Sequence, residues 1–277
     1  MIVKYFLLLL TIWSWASPSE SEDAYAWTKH KLIAHAAGGI KGKDYTNSEE
    51  AFRNSYNNGY KLIEIDLSLT SDGELVARHG WDETYGQKFK PDAKALPYRK
   101  FIKLPYYLHY TPLDFERVIK LMKQHPEIYV LLDGKGGSAE DTKKLYEKVG
   151  EAIQDVDKDV LNRLIPQMYY REDLKLLRKH GFHDILYLAG REEYSAKSVI
   201  EFCKKNDLRT VGISKARVNE AFVTELFRQG IVTYIYTIND LDEMYTFFEI
   251  DVHGFYTDYI IPEEINDWER QEEKPRS

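Results

Sequence analysis

Acidic side chains stand inside two segments that are otherwise mostly apolar. Glu64 and Asp66 lie in the run Leu62–Leu69, and Asp133 ends the run 129–133. Residues two apart on a strand point to the same face, so Glu64 and Asp66 point into the same space. Carboxylates gathered in an apolar interior repel one another unless a cation compensates them. The pattern predicts that Glu64, Asp66 and Asp133 bind one divalent cation, Mg2+ or Ca2+, because these hard ions prefer oxygen ligands.

Two histidines and a lysine are placed in a similar way. His35 ends the strand-like segment 31–35, His79 ends the segment 74–79, and Lys135 follows the second acidic segment. Two histidines can supply the base and the acid that cleavage of a phosphodiester requires, although the sequence does not say which does which. The Lys135 ammonium can balance the charge of a phosphate oxygen.

Each of these features also has an ordinary structural interpretation. A Glu-x-Asp pair is common on an exposed strand face, a lone histidine is often a hydrogen-bonded structural residue, and Asp133-Gly134 is typical of a turn. The apolar neighbours of Glu64 and Asp66 indicate instead a strand that is buried on both faces. The occurrence of all these residues at the ends of successive strand-like segments favours a functional site.

Short apolar runs alternate with amphipathic stretches along the chain. Eight runs begin near residues 31, 61, 129, 164, 185, 210, 231 and 254. Eight strands interleaved with helices predict a (β/α)8 TIM barrel, here a single domain over 28–262. An open doubly wound sheet is the alternative, but no glycine-rich dinucleotide turn supports it. In a barrel the strand ends meet at one face, which would bring the polar residues together.

The segment 80–110 lacks clear periodicity and is predicted to form a loop over the site. Its aromatic residues could give an apolar surface for peripheral contact with a lipid membrane, or they could pack together as the loop's own small core, which we favour. They are Trp81, Tyr85, Phe89, Tyr98, Phe101, Tyr106 and Tyr107.

The beginning of the chain is typical of a targeting segment. Lys4 precedes an almost wholly apolar stretch over 5–15, and Ser14-Trp15-Ala16 fits a cleavage site. We predict a signal peptide over 1–16, with an uncleaved membrane anchor as the alternative. Both predict an exported protein, secreted, periplasmic or held at the membrane by its N-terminus. The charged residues 263–277 are predicted to be a solvated tail.

Composition excludes some classes of protein. The 277 residues are 43% hydrophobic and 30% charged, as in an ordinary soluble globule. The net charge of −7 argues against a nucleic-acid partner, because phosphate backbones require a basic face. Cys203 is the only cysteine, so an intramolecular disulfide cannot form, and its setting in an apolar helical segment predicts a buried thiol.

The order of these motifs resembles the glycerophosphodiester phosphodiesterases over about Leu32 to Tyr259. The resemblance is carried by Leu32–His35, Asn47–Phe52, Gly59, Ile63–Asp66, Leu69–Val76 and His79, and further on by Leu132–Lys135, Pro166–Gln167, Tyr236–Asn239 and Gly254–Asp258. The wider group, which includes the phosphatidylinositol phospholipases C and the spider sphingomyelinase D toxins, is similar in using a TIM barrel with two histidines.

The resemblance implies a phosphodiester substrate, either a small molecule or a lipid headgroup. It implies His35 and His79 as the acid/base pair, Lys135 near the phosphate, and the three carboxylates as metal ligands. It leaves the headgroup, the choice between hydrolase and lyase, and the oligomeric state open.

Four positions depart from the family pattern. Ala36 stands where the family has arginine, Thr46 where it has glutamate, and Gly80 where it has aspartate after the second histidine. Loss of an arginine that could clamp a phosphate bidentately slightly favours an alternative, a non-catalytic protein that binds a phospho-ligand or glycan. The intact carboxylates and both histidines disfavour this alternative, because a binding protein has little use for the full set. Asp133, in place of the family's glutamate, resembles the sphingomyelinase D pattern and keeps a lyase of that type as a further alternative.

Overall fold

The computed structural model describes residues 25–87, 94–190 and 195–266. Eight parallel strands form a closed barrel, because the first strand pairs with both the second and the last. The strands are β1 Leu32–Ala34, β2 Leu62–Leu69, β3 Leu75–Ala77, β4 Tyr129–Gly134, β5 Leu164–Met168, β6 Leu186–Leu188, β7 Thr210–Ser214, β8 Val232–Tyr236 and β9 Gly254–Thr257. The predicted TIM barrel is confirmed.

The strand that does not belong to the barrel is β3, which runs antiparallel to β2. Leu67 pairs with Ala77 and Leu69 with Leu75, so the two strands form a hairpin. The turn between them contains Gly73 at φ +85°, in the left-handed region that glycine adopts readily. The hairpin carries the chain back to the C-terminal end of the barrel at His79.

Helices follow most of the barrel strands. They are α1 Glu49–Asn57, α2 Tyr98–Phe101, α3 Phe115–Gln124, α4 Ala139–Ala152, α5 Lys158–Leu161, α6 Leu174–Lys179, α7 Ala196–Lys205, α8 Glu220–Arg228 and α9 Leu241–Phe248. Several begin at a side-chain cap that accepts a hydrogen bond from a backbone N–H, as Ser48 does for α1 and Asp114 for α3. The Asp114 cap fixes the first turn of α3, which therefore begins at Phe115.

Two apolar clusters lie on the two faces of the sheet. The outer cluster packs the helices against the strands. The inner cluster fills the barrel with residues that alternate along each strand, and at the N-terminal end Trp27 stacks on Tyr234 at 5.4 Å between ring centroids. Leu62 on β2 and Leu131 on β4 belong to this inner cluster. Residues two and four positions further along these strands therefore point to the interior, nearer the C-terminal end.

The excursion between the hairpin and α3 buries several aromatic rings around Arg78. Arg78 is fully buried, and its guanidinium lies 4.9 Å from the ring centroid of Trp81 and 5.0 Å from that of Tyr85. Tyr106 packs edge-on against Tyr85 and Phe101. These rings pack together as predicted, but Tyr85, Phe101 and Tyr106 belong to the same outer cluster as the helices and strands, so the prediction of a separate core is wrong for them. Phe89 lies outside the described part of the chain.

The predictions for the two ends concern residues that are mostly not described. The signal peptide over 1–16 lies outside the described residues, as does the predicted tail beyond residue 266. For residues 263–266 the prediction of a solvated tail is wrong, because they are helical and Ile265 is buried in the outer cluster. Within the described ranges, no helix has the length and apolarity needed to span a membrane. Cys203 is buried, as predicted, and burial raises the pKa of its thiol to about 12.

The hydroxyl of Tyr146 links α4 to the barrel, since it lies 2.6 Å from the carbonyl oxygen of Gln167 and 3.0 Å from that of Leu132. We expect Tyr146→Phe to lower the free energy of unfolding by about 1–2 kcal/mol, because buried polar groups lose their partner. Urea denaturation measures the change. The control Tyr259→Phe removes a hydroxyl from a ring that is 44% exposed, and a change above about 0.5 kcal/mol is not expected there.

Candidate active site

The three acidic residues meet inside the C-terminal end of the barrel. Glu64 and Asp66 follow Leu62 on the inner face of β2, and Asp133 follows Leu131 on the inner face of β4. The strands are in register with Asp66 opposite Asp133. One oxygen from each carboxylate lies within 4.8 Å of the others, and all three residues are at most 5% exposed.

Lys135 compensates part of this buried charge. Its ammonium lies 2.9 Å from Asp66 Oδ1 and also contacts Asp133 Oδ2. Burial alone would raise the pKa of Asp66, but Lys135 and the nearby histidines hold it at about 2. Burial would likewise lower the pKa of Lys135, and the Asp133 and Asp66 carboxylates hold it well above its ordinary value.

Glu64 is the carboxyl that remains uncompensated. Burial and the neighbouring charges of Asp66 and Asp133 raise its pKa well above the ordinary value. The backbone N–H of Ala36 donates to Glu64 Oε2 at 2.5 Å, which fixes the carboxylate without neutralising it. The site therefore has more negative charge than its lysine can balance.

The arrangement fits a hard divalent cation. The ligand atoms are oxygens from three side chains, and Asp133 Oδ1 is buried without a hydrogen-bond partner in the described structure. Its other oxygen, Oδ2, accepts from the Tyr169 hydroxyl at 2.9 Å. A buried carboxylate oxygen without a partner is unfavourable unless a cation or water satisfies it.

His35 is oriented by residues that come late in the chain. Its Nδ1 lies 2.9 Å from Asp258 Oδ1, and Asp258 Oδ2 in turn accepts from Asn239 Nδ2 at 2.7 Å. The Asp258 N–H donates to Asn239 Oδ1, so the two side chains fix each other. Because Nδ1 is occupied by the carboxylate, the other ring nitrogen of His35 is the one available to a ligand.

The backbone after His35 turns away from the strand through a left-handed stretch. Ala36 has φ 48°, Ala37 has φ 70° and Gly38 has φ 88°. This turn directs the Ala36 N–H to Glu64, while the Ala36 carbonyl accepts from the Asn47 N–H at 3.2 Å. Asn47 holds Asp66 by two hydrogen bonds, from Nδ2 to Oδ2 at 2.8 Å and from the Asp66 N–H to Oδ1 at 2.9 Å.

His79 reaches the site from the hairpin, just beyond β3. Burial lowers the pKa of its imidazole. The ring of Tyr45 packs edge-on against His79 and also against His35. Burial and the negative charges of Asp258 and Asp66 raise the pKa of Tyr45 to about 12, so its hydroxyl is neutral at ordinary pH.

These residues enclose a cavity of about 200 Å³ at the C-terminal end of the barrel. None of the described residues of the excursion 80–110 lines this cavity, so the prediction that they cap the site is wrong. Residues 88–93 lie outside the described part of the chain, and for them it stays a prediction. The lining consists of His35, Tyr45, Glu64, His79, Asp133, Lys135, Gln167, Tyr169, Leu188, Tyr236, Thr237 and Tyr256.

Comparison with known sequences identifies the family. A sequence model of the glycerophosphoryl diester phosphodiesterase family matches residues 39–261. The chain belongs to this family. It is accordingly a phosphoric diester hydrolase. Among curated proteins no relative matches the chain.

Solved structures of similar proteins have the same fold at low sequence identity. A glycerophosphodiester phosphodiesterase from Parabacteroides distasonis is 19% identical, with a TM-score of 0.69 over 88% of this chain and 98% of that one. A phosphodiesterase from Oleispira antarctica, solved with the product sn-glycerol-3-phosphate, is 18% identical, with a TM-score of 0.70 over 86% and 96%. The Thermotoga maritima enzyme is 20% identical, with a TM-score of 0.63 over 82% and 93%.

The structure brings all six sequence-predicted site residues of this family member into one neighbourhood. His35, Glu64, His79, Asp133 and Lys135 line the cavity, and Asp66 lies directly beneath, in contact with Lys135. The sequence reasoning assigned no role to Tyr45, Tyr169, Gln167, Asn239 or Asp258. Asp258 could have been found, because it lies at the C-terminal end of a barrel strand, as Asp133 and His35 do.

We expect Lys135→Met to lower the free energy of unfolding of the metal-free protein by about 3–5 kcal/mol at pH 7, because it leaves buried carboxylates unpaired. Asp66 has a pKa of about 2 in the folded protein against an ordinary 3.8, so the stabilisation is present above 3.8 and is lost as the pH falls towards 2. The difference between variant and wild type should therefore shrink in acid.

Denaturant unfolding in the presence of a chelator, from pH 7 down to pH 2, measures this difference. Lys197→Met is the control, since that side chain is 85% exposed. A Lys135→Met variant as stable as the wild type at pH 7 would contradict the assigned charge balance.

Proposed function

We propose that this chain is a divalent-metal-dependent hydrolase of glycerophosphodiesters that releases sn-glycerol 3-phosphate and an alcohol. The observation that carries the proposal is the single cavity in which His35 and His79 flank a buried carboxylate cluster and one lysine, in a chain of the glycerophosphoryl diester phosphodiesterase family. The sn-glycerol-3-phosphate in the Oleispira antarctica structure supports glycerol phosphate as the product.

The two histidines would carry the protons of the reaction. His79 is neutral near pH 7 because burial lowers its pKa, and it is therefore suited to take a proton from the attacking oxygen. His35 keeps Nδ1 on the Asp258 carboxylate, so in its imidazolium form the other ring nitrogen also carries a proton and can donate it to the leaving alcohol, which leaves His35 neutral. Fixing Nδ1 in this way determines which ring nitrogen faces the substrate.

The acidic cluster and Lys135 would manage the charge of the phosphate. Glu64, Asp66 and Asp133 would hold the divalent cation, which when bound supplies Lewis-acid stabilisation of charge on the phosphoryl group. Lys135 and the Tyr236 hydroxyl line the same cavity and can donate to phosphate oxygens. These donors would act where the family arginine is replaced by Ala36.

We also propose that the protein acts outside the cytoplasm. The apolar segment over 5–15 after Lys4 and the small residues before position 17 support export through a signal peptide over 1–16. Glycerophosphodiesters or lipid headgroups outside the cytoplasm would then be the source of substrate.

We expect His35→Ala and His79→Ala each to lower turnover at least ~100-fold, the usual contribution of a positioned acid or base. Release of sn-glycerol 3-phosphate and of the free alcohol from a panel of glycerophosphodiesters measures turnover. His183→Ala is the control, because that exposed histidine lies outside the cavity. Full activity in either cavity variant would refute the assignment. Release of a phosphorylated alcohol and free glycerol would show that the enzyme cuts the P–O bond to glycerol rather than the bond to the alcohol.

We expect a chelator to abolish turnover, and Mg2+ or Ca2+ to restore it, because the cation held by the carboxylates would supply the Lewis-acid stabilisation of charge on the phosphoryl group. Isothermal titration with each ion alone should give one site. Glu64→Gln and Asp133→Asn should each weaken binding of the ion at least tenfold, whereas Glu201→Gln, on the exposed face of α7, should leave it unchanged. Tight ion binding by both cavity variants would exclude this metal site.

A further inference from the structure

Tyr45 is the side chain that contacts both histidines of the cavity. Its ring centroid lies 4.7 Å from that of His35 with an interplanar angle of 83°, and 5.1 Å from that of His79 with an angle of 76°. Both arrangements are edge-to-face, which is a favourable geometry for aromatic rings. One phenol ring therefore packs against both imidazoles and restricts the orientation of each.

The two imidazoles differ in what else holds them. His35 has the Asp258 carboxylate on Nδ1. His79 makes no hydrogen bond with any described residue, and Tyr45 is its aromatic contact within the described chain. The orientation of His79 therefore depends on packing, and the ring that packs against it is the one that also packs against His35.

The backbone holds Tyr45 in a conformation that bulky residues rarely adopt. Tyr45 has φ 54°, and Asn47, two residues later, has φ 48°. Such conformations persist when the surroundings fix them, and they are concentrated at functional sites. Here three hydrogen bonds fix the conformation. The Asn47 N–H donates to the Ala36 carbonyl, and two more hydrogen bonds join Asn47 to Asp66. The segment that carries Tyr45 is thus anchored to the carboxylate cluster.

The hydroxyl of Tyr45 takes no part in this arrangement. It makes no hydrogen bond with any described residue, and it remains neutral because burial raises its pKa to about 12. The contacts with His35 and His79 are made by the ring. A phenylalanine ring would make the same two contacts, whereas leucine or glycine would not.

We propose that the ring of Tyr45 is a positioning element that orients His35 and His79 relative to each other and so keeps both aligned on one phosphodiester. The proposal rests on the proton-transfer roles proposed for the two histidines. It concerns alignment in the reaction rather than binding of substrate, so the effect belongs in kcat. A misplacement of about 1 Å in a catalytic group can lower the rate about 100-fold.

The test compares Tyr45→Phe, Tyr45→Leu and Tyr45→Gly in the full-length protein, with kcat and KM measured separately on one glycerophosphodiester in saturating Mg2+ or Ca2+. We expect Tyr45→Leu and Tyr45→Gly to lower kcat by about 10- to 100-fold with KM changed less than about 3-fold, and Tyr45→Phe to restore kcat to within about 3-fold of wild type. Glycine accepts the left-handed backbone without strain, so Tyr45→Gly separates loss of the ring from a folding defect.

Tyr107→Leu is the matched control, because Tyr107 also has a left-handed backbone, at φ 48°, but does not line the cavity. Its kcat should stay within about 2-fold of wild type, as expected for a change outside the site. The proposal is overturned if Tyr45→Gly keeps its kcat, if Tyr45→Phe loses as much as Tyr45→Leu, or if the loss is confined to KM. If the alanine variants of His35 and His79 keep their activity, the proposed function itself fails. If those variants are inactive but Tyr45→Leu and Tyr45→Gly keep the wild-type kcat, only the positioning role fails.

Discussion

Buried negative charge is the constraint on which this structure depends. Three carboxylates from two neighbouring strands lie within 4.8 Å of one another inside the barrel. Removing such charges from water is strongly unfavourable, so every nearby group is arranged to offset that penalty. Lys135 pairs with two of the carboxylates, and a backbone N–H, an asparagine amide and a tyrosine hydroxyl donate to them. Even so, Glu64 remains without an opposite charge of its own.

The second requirement is that two imidazoles reach the cluster from different parts of the chain. His35 follows a barrel strand directly, while His79 follows the antiparallel strand of the hairpin. The irregular backbone after His35 connects these groups. The left-handed turn at Ala36 and Ala37 brings the Ala36 N–H to Glu64, and Asn47 in the loop that follows donates a hydrogen bond to Asp66. Strand periodicity positions the acids, whereas turns and loops position the groups around them.

The sequence predicted what depends on periodicity. The alternation of side chains along a strand predicted that Glu64 and Asp66 share a face, and the number of apolar runs predicted the barrel. Both signals can be found in a sequence because they repeat at a regular spacing. The position of Tyr45 depends instead on one unusual φ in a loop, and no periodic signal encodes that. The pairing of His35 with Asp258 joins residues 223 positions apart, and only barrel closure brings them together. The strand-end rule that found Asp133 would have found Asp258 as well.

Arg78 shows how the large excursion is attached to the barrel. The aromatic rings around its buried guanidinium pack into the outer apolar cluster of the barrel, and none of the described residues of the excursion lines the cavity. Substitutions on the outer surface of this appendage can therefore accumulate without disturbing the chemistry of the cavity. In evolution, and in the laboratory, such an appendage is a place where new binding preferences can be added to an unchanged reaction centre.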